Sequence, residues 1–216
     1  MKQKLPVSRM LISDKKKFIF VHIEKTAGTS ITSALKPYSI KRPSSKLYSV
    51  LRIMELPKDY RRYRFPKHCG LCEAQKMMPA ELYNKYFKFA FVRNPWDRLV
   101  SEYNAAIAKN RRHRHRRIKA MRDFSNYVSY EIKRNKLAQL PKLVDQHGNM
   151  GLDFAGRFET LHEDFNHICN TLGIDIVLQK LNAFDHPDYR EYYTDGTRER
   201  VRRHWAQDIE AFNYQC

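Results

Sequence analysis

The chain has 216 residues, enough for one α/β domain with a sizeable core, and 42% of them are hydrophobic, which excludes a disordered chain. Its formal net charge of +18 favours polyanionic partners: nucleic acid, phosphate-rich cofactors, sulfated or uronic-acid glycans, or an anionic membrane surface. No apolar run approaches the roughly 18 residues of a membrane helix, and four cysteines (Cys69, Cys72, Cys169, Cys216) are too few for a disulfide framework at this length.

Residues 1–16 mix Lys and Arg with scattered apolar residues and lack the apolar core of a signal peptide. They read as an N-terminal extension of a cytoplasmic protein. A luminal Golgi-type catalytic domain cut from a longer precursor would have the same sequence.

Residues 17–23 (KFIFVHI) form an apolar, β-branched and aromatic run, which predicts a buried strand. A turn with one glycine follows at 24–30, and a helix is expected from Ser30 to Leu35. Residues 36–67 are polar, Pro-containing and rich in Tyr and Arg, which predicts irregular structure with a short helix near Leu51; the segment is a candidate lid or acceptor-binding insertion. A helix over 78–86 is expected, with Pro79 in its first turn. Residues 87–92 (FKFAFV) predict a second buried strand.

Pro95 opens the next helix, with Trp96, Leu99, Val100, Tyr103 and Ile107 at helical spacing. The run 109–119 (KNRRHRHRRIK) holds two Lys and five Arg with no acid and reads as a surface loop or a solvated helix end. A helical pattern resumes over 123–133, a third strand is expected over 153–160, and a helix over 161–172 ends at Gly173. A terminal helix over 197–212 places Val201, Trp205, Ile209 and Phe212 on one face. Strands alternating with helices predict an α/β, P-loop-like three-layer fold with a central, mainly parallel sheet flanked by helices. One domain over 1–216 is expected.

Two segments carry chemistry. In Glu24-Lys25-Thr26-Ala27-Gly28-Thr29-Ser30 a strand leads into a tight turn, and Gly28 lets backbone approach a ligand closely. The first N–H groups of the following helix favour an anion, the hydroxyls of Thr26, Thr29 and Ser30 add donors, and Lys25 adds a mobile positive charge. This is no Walker A loop, because the lysine precedes the only glycine. A Ser/Thr-capped helix start with a solvated lysine is the bland alternative. The second segment runs from Phe91 to Tyr103. Arg93 stands at a strand's carboxyl end, where it can grip a phosphate bidentately, and Ser101 lies two helical turns on. A surface arginine and a helix-face serine are the alternative there.

Together these segments, HIEKTAGTS and RNPWDRLVSEY with Arg and Ser eight apart, resemble the sulfotransferases that use 3′-phosphoadenosine 5′-phosphosulfate (PAPS). The likeness is to the carbohydrate-type family related to uronosyl and heparan sulfate 2-O-sulfotransferases and to small bacterial relatives. It continues through 156–169 and 189–214. The resemblance implies sulfuryl transfer from PAPS, with PAP as product and no metal, to a hydroxyl of a carbohydrate. Lys25 would contact the 5′-phosphosulfate, and Thr26, Ala27, Gly28, Thr29 and Ser30 would cradle the 5′-phosphate. Arg93 and Ser101 would hold the 3′-phosphate, with Arg157 near the nucleotide. Glu24 stands where proline is common in the family.

Attack by a sugar hydroxyl on sulfur needs a proton acceptor of near-neutral pKa, and histidine suits that role. The family resemblance implies a histidine between the two motifs, in a segment resembling H-x-T-A. Here that segment begins at His68, without the threonine, and His68 is the expected base. Glu24 and Glu73 are the alternatives. His22 reads as a packed strand residue, and His113, His115 and His186 are weaker candidates. Cys69 and Cys72 form a lone C-x-x-C, read as incidental because no second pair completes a zinc site. The basic surplus fits an anionic glycan acceptor, with no nucleic acid expected. A P-loop-like nucleotide-dependent phosphotransferase is the rival activity, and a nucleic-acid-binding module built on the arginine run is a third reading.

Overall fold

The computed structural model describes residues 10–41, 59–61, 65–66, 68–109, 113–121, 123–179 and 187–216. The helix expected near Leu51, His186 and most of the candidate lid lie outside the described residues. The chain divides into two compact units: Met1–Phe91 with Pro141–Gln179, and Val92–Leu140 with Lys180–Cys216.

The first unit holds a four-stranded sheet in the order β1 (Leu11–Ser13), β2 (Phe18–Val21), β3 (Phe87–Val92), β4 (Phe154–Arg157). β1 pairs antiparallel with β2, matching Leu11 to Phe20, and β2 pairs parallel with β3, matching Phe18 to Phe87 and Val21 to Ala90. The amide of Asp153 donates to Lys88 O, and three residues further along both strands Gly156 lies against the Phe91 ring. β4 therefore advances with β3. Three parallel strands thus end along one edge, as the alternation of strands and helices predicts.

β1 corrects the reading of the described part of residues 1–16, from Met10 on, as an extension. Leu11–Ser13 is an edge strand, and Met10 and Ile12 are buried in the core.

Alternation along β2 and β3 sends Phe18, Phe20, Phe89 and Phe91 to one face, with Phe20 and Phe89 rings 5.3 Å apart. That face packs against Ile31 and Leu35 of α1 (Gly28–Leu35) and against Phe165, Ile168 and Cys169 of a later helix, Leu161–Leu172. The latter begins and ends where the pattern places it. Asp164 in its first turn accepts from Arg157 N and Thr160 Oγ1, and Gly173 closes it at φ 58°. Two short helices, α2 (Leu71–Met77) and α3 (Ala80–Lys85), precede β3, and Pro79 caps α3.

The second unit is helical. α4 (Pro95–Lys109), α5 (His113–Lys119) and α6 (Phe124–Arg134) share a core with Val201 and Trp205 of the C-terminal segment. Trp96, Leu99, Val100, Tyr127 and Val128 fill its centre. Asp123 caps α6 by accepting from Asn126 N at 2.8 Å.

Of the two readings of the basic run 109–119, the helical one fits where it is described: Lys109 ends α4 and His113–Lys119 forms α5, with His113, Arg116, Arg117 and Lys119 exposed, Ile118 fully buried, and Arg114 bridging Glu102 and Glu131 at 2.6 Å each. An arginine held by two carboxylates explains why so basic a stretch folds onto its neighbours.

The expected terminal helix is two helices, Asp195–His204 and Ala206–Ala211, broken at Trp205, whose φ and ψ are −108° and 29°. Its apolar stripe is buried as expected at Val201, Trp205 and Phe212. Among the described residues no helix is long and apolar enough to cross a membrane.

Candidate active site

In the first unit β2 ends at Val21 and delivers the chain to a turn in which Lys25 and Ala27 both adopt left-handed backbone, at φ 68° and 57°. A left-handed residue directly before the right-handed helix start at Gly28 turns consecutive N–H groups to one side, the arrangement of an anion-binding nest. The amides of Ser30 and Ile31 return to Ala27 O at 2.9 and 3.2 Å, which closes the first helical turn.

Thr26 is fully buried and its hydroxyl donates to Ile23 O at 3.0 Å, so it braces the turn and offers a ligand its backbone. Ser30 is buried, while Lys25, Ala27 and Thr29 are half-exposed or less. Gly28 is required by its neighbour: a Cβ there would lie 2.4 Å from the ring of His22. His22 is buried, with Nδ1 3.3 Å from Thr32 Oγ1, which is the packing role its place beside the strand suggests.

The same unit brings His68 to this turn. Its ring centroid is 5.5 Å from that of His22, and its Nδ1 is 3.4 Å from Glu24 Oε1. Glu24 Oε2 accepts from Lys142 Nζ at 2.6 Å. Lys142 is invisible in the sequence because 118 residues separate it from Glu24 and nothing local marks it. Arg157 ends β4, on the same sheet edge as the carboxyl end of β2, with its amide held by Asp164 Oδ2 at 2.6 Å. Cys69 is buried and Cys72 half-exposed at the start of α2, and the two are not bonded to each other.

In the second unit Arg93 follows β3 by one residue. Its guanidinium forms a fork with Asp97, Nε to Oδ2 at 2.7 Å and Nη2 to Oδ1 at 2.9 Å. Its main chain is held equally firmly. Arg93 N donates to Gln139 Oε1 at 3.0 Å, and Gln139 Nε2 donates to Arg93 O at 2.9 Å. Gln139 and Leu140 in turn donate their amides to the two oxygens of Asp208, both at 2.8 Å. Burial pushes the Asp208 carboxyl above its ordinary range, against the opposing pull of those two amides.

Asn94 Oδ1 accepts from Trp96 N at 3.0 Å and starts α4, with Pro95 as its first residue. Ser101, two turns along α4, is buried. Asp97 is readable from the sequence as the i+4 partner of Arg93. Gln139 and Asp208 are not, because they reach Arg93 only through tertiary contacts.

These two constellations can be set against known proteins. The sulfotransferase family model matches residues 8–215. The chain belongs to the sulfotransferase family. Among solved structures, mouse sulfotransferase SULT7A1 complexed with PAP matches 92% of this chain and 85% of its own at a TM-score of 0.54, with 14% sequence identity. At that identity the likeness concerns the fold. No curated protein sequence matches the chain significantly. The family match runs across both compact units, so each constellation falls within the sulfotransferase sequence.

Proposed function

We propose that this sulfotransferase takes its sulfuryl group from PAPS, releases PAP, and delivers the group to a hydroxyl of an anionic carbohydrate. The observation that carries the donor reading is the left-handed turn at Lys25 and Ala27 leading into α1. It offers backbone N–H groups, a helix N-terminus and a lysine to one anion. The mouse protein of similar fold is complexed with PAP, which supports the same nucleotide here.

Residues 25–30 are assigned to the 5′-phosphate end, with Thr26 contributing main chain because its hydroxyl braces Ile23. Arg93 and Ser101 are assigned to the 3′-phosphate, and Arg157 to the nucleotide nearby. The donor supplies a sulfuryl group already attached to a phosphate leaving group. The chain then has to orient the acceptor oxygen in line, take its proton and stabilise charge on the departing phosphate. Lys25 and the turn amides serve the last of these, as preorganised donors that need no rearrangement during reaction. His68 is assigned to the proton, since imidazole accepts protons near neutral pH. Catalysis of this kind rests on positioning and electrostatics.

The +18 charge of the chain supports an anionic acceptor. Incubation with PAPS and a uronic-acid polysaccharide, a neutral polysaccharide or a simple phenol, with PAP release followed by chromatography, tests the acceptor class. Release dependent on the uronic-acid polymer is expected. A preference for the phenol would overturn the glycan assignment. Turnover of ATP with Mg²⁺ and none of PAPS would favour phosphoryl transfer instead.

A further inference from the structure

Among the described residues, ionisable side chains gathered around His68 include Glu24, Lys142 and His22. Glu24 Oε1 lies 3.4 Å from His68 Nδ1, an ion-pair contact rather than a hydrogen bond, and Glu24 Oε2 holds Lys142 Nζ at 2.6 Å. His22 stands across the imidazole, with ring centroids 5.5 Å apart. The side chains of His68, Glu24 and Lys142 are only 18, 27 and 18% exposed, so their charges are partly shielded from water.

The backbone enforces this grouping. His68 sits in left-handed conformation at φ 58°, and Gly70 admits the main chain of Lys142, since a Cβ at Gly70 would lie 2.7 Å from Lys142 O. Glu73, the other carboxylate near His68 in sequence, is engaged elsewhere. Its Oε2 accepts from Gly70 N at 2.9 Å and caps α2.

We propose that Glu24 is a positioning residue for His68, holding the imidazole through Nδ1 so that Nε2 is the proton acceptor, with Lys142 anchoring the carboxylate. The proposal rests on the reading of His68 as the base. A carboxylate beside one ring nitrogen fixes the neutral tautomer with the proton on that nitrogen and leaves the lone pair on the other. The acceptor hydroxyl then gives its proton to Nε2. The imidazolium formed keeps its Nδ1 proton on the Glu24 side, and no proton passes to the carboxylate.

Lys142 serves a second purpose. An isolated carboxylate next to His68 would favour the imidazolium, which cannot accept a proton. The ammonium on the same carboxylate offsets that pull. Among the described residues the charged groups at the ring include Glu24, with Lys142 on the same carboxylate, and His22 is a neighbouring titratable ring.

The test follows the full chain, labelled with ¹⁵N at histidine, by long-range ¹H–¹⁵N correlation spectra from acid to alkaline pH. Wild type, Glu24→Gln and Lys142→Met are compared, and His68→Asn assigns the signal. Neutral His68 is expected to carry its proton on Nδ1. Its titration midpoint should fall by about one unit in Glu24→Gln and rise by about half a unit in Lys142→Met. Opposite shifts from two substitutions in one ion pair are not produced by loss of packing. If Glu24→Gln does not fold, Glu24→Asp and Lys142→Met carry the test. A proton on Nε2, or midpoints unmoved in the folded variants, would overturn the proposal. Sulfuryl transfer assays separate it from the base reading. Transfer retained in His68→Asn overturns the base, and the positioning role with it. Transfer abolished by His68→Asn but with no titration coupling to Glu24 overturns only the role of Glu24.

Discussion

The turn at residues 24–30 and the turn at residues 93–97 are assigned to two phosphates of one donor, yet they are built differently. In the first unit the work falls to backbone: two left-handed residues, a helix start, a glycine pressed against His22, and a partly exposed lysine. In the second unit it falls to one arginine that is already committed. Its fork is matched by Asp97, and its main chain is clasped by Gln139, which Asp208 holds in turn. On this assignment the first turn would bind its phosphate mainly through backbone shape that Gly28 permits, with the charge of Lys25 added. The second would depend on a particular guanidinium and on the frame around it. Backbone sites should therefore fail through shape, and the arginine site through charge.

The sharpest way to break this comparison is Arg93→Ala. Loss of the fork is expected to weaken PAP binding at least about 100-fold, close to 3 kcal/mol. Asp97, 14% exposed, loses the guanidinium that forks it, so stability should fall by about 2 kcal/mol as well. The double variant Arg93→Ala/Asp97→Ala should recover stability without recovering PAP binding. Calorimetry and thermal unfolding read the two effects separately.

Next in size is Gly28→Ala, which drives a Cβ to 2.4 Å from the His22 ring and should lower stability by about 2 kcal/mol. Removing that ring in Gly28→Ala/His22→Ala should return about 1 kcal/mol as a measured coupling, and additive losses would show that the ring is not the obstacle. A smaller effect is expected at Ser101→Ala, about a fivefold loss of PAP affinity with stability unchanged, because a neutral hydroxyl contributes about 1 kcal/mol where the arginine contributes several.

An effect of similar size lies outside both turns, in the first unit. Burial tends to raise the pKa of Asp14, but donors from Tyr60, Tyr86 and Arg61 outweigh it and hold the carboxyl below its ordinary 3.8. A depressed pKa gives stability that is present above that ordinary value and is lost as pH falls through the folded-state value. Asp14→Asn should therefore cost about 1 kcal/mol at neutral pH and flatten the loss of stability in acid, with PAP binding intact.

The same contrast governs what is legible in the sequence. β3 and the helix Leu161–Leu172 are readable because a continuous apolar run, or a 3.6-residue stripe closed by Gly173, is local information. The turn at 24–30 is readable for the same reason, since its glycine, hydroxyls and lysine are consecutive. β1 is not: three residues beside the Lys15-Lys16-Lys17 run carry too little pattern, and only pairing with Phe18–Phe20 makes them a strand. α5 reads as a solvated stretch because the partners of its Arg114, Glu102 and Glu131, lie on other helices. The frame behind Arg93 is hidden in the same way. Arg93 and Asp97 share four residues of chain, whereas Gln139 and Asp208 are brought in from 46 and then 69 residues away.

The measurement that bears most directly on the central claim is calorimetric binding of PAP to the wild-type chain without metal, beside ATP with and without Mg²⁺. Saturable, metal-free binding of PAP, tighter than that of ATP and weakened in Lys25→Ala, is the result expected of a PAPS-dependent sulfotransferase. Absence of PAP binding together with Mg²⁺-dependent binding of ATP would contradict the donor assignment.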